Sequence, residues 1–133
     1  VESVITAVRP EVKVVGVQPE ACPALRESFD AGEGTWVTAG DTICDGTKVP
    51  LIVDEMYPLL REVIDEVVIV PELLVRRAVR ELATRSKVVV EGSGALALAG
   101  ALHQDTATRK KSVCVVSGGS IDPGRLAEII QED

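Results

Sequence analysis

Two spacings of apolar residues alternate along this chain. Val1, Val4, Ile5, Ala7 and Val8 recur at helical intervals, and Pro10 closes that helix. Lys13–Val17 (K-V-V-G-V) is a short apolar run, which predicts a strand. Glu20–Ala31 predicts a helix with Ala24, Leu25, Ser28 and Phe29 inward, stopped by Gly32. Gly32–Gly46 follows neither spacing, and irregular stretches of that length in a compact domain are often functional. Tyr57–Ile64 predicts a helix with Leu59, Leu60, Val63 and Ile64 as its buried stripe. Val67–Val70 is continuously apolar, as a strand buried on both faces would be.

Pro71 suits the first turn of a helix that runs to about Arg85. Leu74, Val75, Ala78, Val79 and Leu82 form its apolar face; Arg76, Arg77, Arg80 and Glu81 form its wet one. Val88–Val90 is the next extended piece. Gly94–Leu102 is a helix of small residues, apolar all round, and therefore buried. Arg109-Lys110-Lys111 reads as a solvated turn before a further strand, Ser112–Val116, with Cys114 as a small core residue in it. Asp122 can cap a last helix whose first-turn proline is Pro123, with Leu126, Ile129 and Ile130 as its apolar positions. Strands alternating with helices predict an α/β fold: a parallel sheet with helices on its faces.

The chain has 133 residues, which fits one domain spanning 1–133. Hydrophobic residues make up 46% of it and aromatic residues only 2%, so the core must be aliphatic. The single Trp, Tyr and Phe argue against a base-stacking platform. A net charge of −7 opposes binding to nucleic acid or to an anionic membrane surface. No apolar run approaches the roughly 20 residues that span a bilayer. Cys22, Cys44 and Cys114 are scattered and odd in number, and the lone His103 has no metal-ligand spacing to them, so free thiols in a reducing cytoplasm are expected. Val1 opens the chain within a helical pattern, from which a piece of a longer protein is expected.

The chemistry gathers where apolar runs end in a polar side chain followed by small residues: Glu91 after V-V-V, and Ser117 after V-C-V-V. Open α/β sheets bind ligands at such places, outside the carboxyl ends of their strands. Ser117-Gly118-Gly119 can let backbone approach a ligand closely, or be a plain tight turn. Glu91 can reach a ligand, or simply sit as an acid at a helix start.

Taken in order, G-V-Q-P-E, D-T-I-C-D-G (Asp41–Gly46), V-V-V-E-G-S-G-A-L-A-L-A and V-V-S-G-G-S-I-D-P resemble the carboxyl-terminal part of the catalytic domain of threonine dehydratases and serine racemases. These are fold-type II enzymes that use pyridoxal phosphate. The resemblance covers nearly the whole chain, and it implies a three-layer architecture, a parallel sheet with helices on both faces, as part of the large domain of such an enzyme. By resemblance, the Ser117 hydroxyl hydrogen-bonds the pyridine nitrogen of the cofactor. A neutral hydroxyl does not keep that nitrogen protonated, so the cofactor is a weaker electron sink, which suits elimination of a β-hydroxyl. Gly46 matches backbone beside the cofactor ring and Glu91 a carboxylate beneath it, and Gly118 is taken with them as cofactor-binding.

Two departures from the family matter, at the Gln18 and Ala24 pair and at Gly92. Gln18 stands where a Glu is usual, and Ala24 where members with a divalent cation have an Asp, so no metal is expected there. Gly92 stands where proline is common. The family's Schiff-base lysine lies in a Ser-x-Lys-x-Arg-Gly motif, and none of Lys13, Lys48, Lys87, Lys110 or Lys111 has that context. The phosphate-cradling glycine loop is also absent from this sequence. The resemblance therefore implies a parent lyase that removes water and then ammonia from L-threonine or L-serine, with an amino-terminal half of the enzyme as the missing partner. The isolated chain is expected to be inactive, with no catalytic residue of its own and no cofactor held alone. It is expected to self-associate into a homo-oligomer. Half of a split enzyme, a serine racemase-like parent and a non-catalytic small-ligand module stay open as alternatives.

Overall fold

A computed structural model describes residues 2–132, the side chain of residue 108 excepted; Val1 of the first helical pattern lies outside them. In chain order the elements are α1 (Glu2–Val8), β1 (Val15–Pro19), α2 (Ala24–Ala31), α3 (Tyr57–Val63), β2 (Glu66–Val70), α4 (Glu72–Glu81), α5 (Gly92–His103), α6 (Thr106–Arg109) and α7 (Pro123–Gln131). The strands pair in parallel, from Val15 opposite Glu66 to Pro19 opposite Val70. Parallel neighbours need a long crossover, and α2, the irregular stretch and α3 provide it.

Side chains alternate across a strand, so the valine-rich pair buries both faces. Val17, Val68 and Val70 join Val75, Val79, Leu96, Ala99 and Ile129 in the larger core, built with α4, α5 and α7. Val67 and Ile69 meet Leu25, Phe29, Leu60, Val63 and Ile64 on the other face. Helices thus cover the sheet on both sides, in three layers. Full burial of one such aliphatic side chain contributes about 1.5–3 kcal/mol, so valines supply here what aromatics supply in other cores. Two of the three aromatics pair on the face that holds Val67 and Ile69: Phe29 meets Tyr57 edge-on at 6.1 Å and lies under the Arg61 guanidinium.

Several elements depart from expectation, each for a local reason. β1 lies two residues further on than Lys13–Val17, because its register with β2 carries pairing through Gln18 and Pro19. α2 starts at Ala24 rather than Glu20; the Gln18 side-chain oxygen accepts from the Leu25 and Arg26 amides at 3.0 and 3.1 Å and satisfies its first turn. Leu59 is exposed on the outer side of α3, whereas Val63 and Ile64 are buried. α4 does not run on regularly to Arg85; a wide turn over Leu82–Ser86 ends it at Lys87, which has φ +58°.

The larger correction concerns Val88–Val90 and Ser112–Val116. Neither segment is a strand. Val89, Val113 and Val115 are exposed, Val113 at 90%, and Cys114 is only half-buried. A strand needs partners for its backbone N–H and C=O groups, and an apolar run identifies the segment but not the partner. Among the described residues nothing pairs along either one. Their ends do meet: the Glu91 amide donates to the Gly118 carbonyl at 3.2 Å. Gln131–Asp133 reads from sequence as a fraying end, and Asp133 lies outside the described residues. Glu132 is instead held by the Arg76 guanidinium, whose Nε lies 2.8 and 3.0 Å from its two carboxylate oxygens.

Candidate functional site

Glu91 is the centre of the site. It occupies the cap position of α5, yet its carboxylate makes no capping bond to that helix. Oε2 instead accepts from the Ser120 amide at 3.1 Å, across to the turn after the 112–116 segment. The helix-capping reading of Glu91 therefore does not describe what its side chain does, although α5's N-terminal dipole still favours a negative charge there. Gly118 has φ +78°, and a β-carbon on it would stand 2.7 Å from Glu91 Cδ and Oε1. A side chain is excluded twice, by backbone conformation and by space.

Gly46 approaches from the third side. It lies in a one-turn 3-10 segment, Asp45–Thr47, where a β-carbon would stand 3.0 Å from Glu91 Oε1 and 3.2 Å from Ser93 Oγ. Thr47 Oγ1 and Ser93 Oγ are 3.3 Å apart and tie this turn to the start of α5. Three of the four sequence-predicted positions, Gly46, Glu91 and Gly118, are thus brought together. The fourth, Ser117, precedes Gly118 directly; its side chain is exposed and its hydroxyl has no hydrogen-bond partner among the described residues. Its carbonyl oxygen packs on the α-carbon of Gly94, where no side chain would fit.

An open cleft of about 580 Å³ adjoins this cluster, lined by Ile43, Asp45, Gly46, Glu91, Ser120 and Arg125 among others. A second, of about 540 Å³, shares Ile43, Asp45 and Arg125 and adds Lys48 and Glu72. Arg125 and Asp45 stand 3.8 Å apart at the boundary of the two. Among the described residues no lysine lines the first cleft. Lys13 is paired with Glu66, and Lys87 Nζ donates to the Thr84 carbonyl at 2.6 Å.

Cys44 sits under the loop, fully buried, and burial pushes its thiol up to about 11, with a partly opposing hydrogen bond from Thr42. It is a packing residue and not a nucleophile. At the Gln18 and Ala24 positions, the Gln18 oxygen is engaged by α2 and Ala24 is buried with no donor atom. Among the described residues no group of three or more His, Cys, Asp or Glu is placed to hold a metal ion. No helix among them is long and apolar enough to cross a membrane.

Sequence reasoning missed Ser120, which acts through a backbone amide and so leaves no residue-type signal. It also missed Glu72, which grips the irregular loop by accepting from Thr42 Oγ1 at 2.7 Å and from the Ile43 amide at 2.8 Å. Thirty positions separate Glu72 from Thr42, and no local spacing marks the pair.

With this geometry in hand, likeness to known proteins is informative. Residues 3–119 match the family described as pyridoxal-phosphate-dependent enzyme. The catabolic L-threonine dehydratase of Escherichia coli K12 is 38% identical over 129 residues, covering 94% of this chain and 39% of that protein. The L-threonine ammonia-lyase of Thermotoga maritima is 36% identical over 128 residues, covering 96% of this chain and 32% of that protein. Among solved structures, the threonine deaminase of T.th. superposes with a TM-score of 0.83 at 34% identity, over 91% of this chain and 41% of its own. Maize serine racemase superposes with a TM-score of 0.77 at 27% identity, over 92% of this chain and 39% of its own. The chain therefore spans about two fifths or less of the length of these relatives.

Proposed function

This chain belongs to the pyridoxal-phosphate-dependent enzyme family, and from that premise we propose that it forms one wall of the cofactor pocket in a threonine or serine dehydratase. Such an enzyme eliminates water and then ammonia from L-threonine or L-serine and leaves a 2-oxo acid. The observation that carries the reading is the convergence of Gly46, Glu91 and Gly118 on one spot, with Ser117 next in sequence to Gly118 and its hydroxyl unspent.

These residues fit the cofactor chemically. Pyridoxal phosphate, when bound, supplies the electron sink for bond breaking at the α-carbon of an amino acid. Ser117 Oγ holds a proton that it can donate to an unprotonated pyridine nitrogen without giving it up. Gly46 and Gly118, without β-carbons, make room for the Glu91 carboxylate, and Gly46 and Glu91 line the cleft that would take the ring. The Ser120 amide holds the Glu91 carboxylate in the space that the missing β-carbons of Gly46 and Gly118 leave. The cofactor-bearing lysine and the phosphate loop are contributed from outside residues 1–133, so this stretch is one portion of a catalytic domain and does not turn over substrate by itself.

The test uses a full-length protein that carries this stretch. It is expected to contain pyridoxal phosphate and to convert L-threonine or L-serine to a 2-oxo acid. Ser117→Ala is expected to lower turnover about tenfold, as loss of one hydrogen bond to a desolvated partner would. A full-length protein that binds no pyridoxal phosphate overturns the reading. One that forms D-serine from L-serine faster than a 2-oxo acid replaces the dehydratase with a racemase.

A further inference from the structure

We infer that Glu72 is a positioning residue for the cofactor wall: through Thr42 and Ile43 it sets Gly46 against Glu91. This deepens the proposed function and rests on it. Glu72 stands in the first turn of α4, where a carboxylate is favoured by the helix dipole, and its own helix does not use its oxygens. Both oxygens reach instead into the irregular loop. One accepts from the Thr42 hydroxyl at 2.7 Å and the other from the Ile43 amide at 2.8 Å. Charge-assisted bonds of this length are about twice as strong as neutral ones.

The grip is passed on along the loop. Thr42 Oγ1 accepts from the Cys44 amide at 3.1 Å, so the hydroxyl held by Glu72 in turn holds the next turn. The Cys44 carbonyl accepts from the Thr47 amide at 3.1 Å and from its hydroxyl at 3.3 Å, which closes the turn that contains Gly46. Ile43 packs directly on Gly92 at the start of α5, and Thr47 meets Ser93. The loop is therefore fastened on one side to α4 by a single carboxylate and on the other to α5, whose cap residue is Glu91. Releasing the first fastening frees the segment that carries Gly46 while β1 and β2 stay paired.

The experiment compares wild type, Glu72→Ala, Glu72→Gln and Thr42→Val in the full-length protein. The readouts are the dissociation constant of pyridoxal phosphate, the visible circular dichroism of the bound cofactor and amide hydrogen exchange. Glu72→Ala is expected to speed exchange over residues 42–47 but not over β1 and β2. It is also expected to weaken cofactor binding about tenfold, since the two lost bonds hold the loop and only part of their energy reaches the pocket, and to change the cofactor's dichroism. Glu72→Gln keeps an oxygen for the Ile43 amide and is expected to recover most of the dichroism. Thr42→Val, which keeps the loop's volume, is expected to fall between them and carries the test if Glu72→Ala exposes β1 and β2. The inference is overturned if these variants bind the cofactor within twofold of wild type with unchanged dichroism. A wild-type protein that binds no cofactor sinks the proposed function instead, and the two failures are distinct.

Discussion

The carboxylate of Glu91 and the α-carbon of Gly118 are packed so closely that a β-carbon at position 118 would stand 2.7 Å from the carboxyl carbon. This contact joins the start of α5 to the turn that follows Ser117, and it sits where φ is +78°. Gly118→Ala must distort one or the other. The expected cost is about 1–3 kcal/mol in chemical unfolding, larger than for Gly119→Ala, whose position is open apart from the Val89 carbonyl at 3.3 Å. Equal effects at the two positions would show that the contact with Glu91 does not constrain the turn.

Ile129 is the largest fully buried side chain of the molecule's described part and comes from the last helix. Ile129→Ala is expected to destabilise by about 2–5 kcal/mol, read as a lowered urea midpoint. Ile130, on the same helix but 38% exposed, is expected to cost under about 1 kcal/mol on the same change.

Cys44 provides a pH test. Its thiol is raised from 9.0 to about 11, chiefly by burial, so the folded protein prefers the neutral form more than the unfolded chain does. The linked stability is fully present below pH 9 and is lost as pH rises towards 11. Cys44→Ala should flatten the decline of stability over that window. At pH 8, native Cys44 should resist iodoacetamide, while Cys114, half-buried, reacts faster.

The Arg76–Glu132 pair gives the opposite sign. The Arg76 guanidinium holds the Glu132 carboxyl below the usual carboxylate range. Its contribution is present above that range and fades as pH falls through the lowered value. Because both side chains remain partly exposed, a double-mutant cycle should return no more than about 1 kcal/mol, and less at high salt. A coupling that grows at low pH would contradict the assignment.

The sequence showed what local spacing can show. β2 was legible because Val67–Val70 is a short unbroken apolar run closed by Pro71, and the buried face of α4 because Val75, Ala78, Val79 and Leu82 carry a helical period. Family resemblance singled out Gly46, Gly118 and Glu91, and in the structure they lie together. Val88–Val90 and Ser112–Val116 misled for a physical reason: an apolar run signals that a segment is to be covered, and pairing depends on residues elsewhere. Leu59 misled because one helical stripe is wider than the surface that α3 has to cover. Glu72 and Ser120 were out of reach because each acts on a partner some thirty positions away, with no period to reveal the pair.

α5 has small residues where it meets the rest of the fold, and this has a geometric consequence. At Gly100 the helix rests on Val17, and at Gly94 its backbone touches the Ser117 carbonyl with nothing between. Main chain on main chain is incompressible, whereas side chains of the core can change rotamer. The separation between the Glu91 end of α5 and the Ser117 turn is therefore a fixed gauge. Exchanging Leu96 for methionine or Val75 for isoleucine can alter stability while leaving that gauge untouched, and a single methyl group at position 94 resets it.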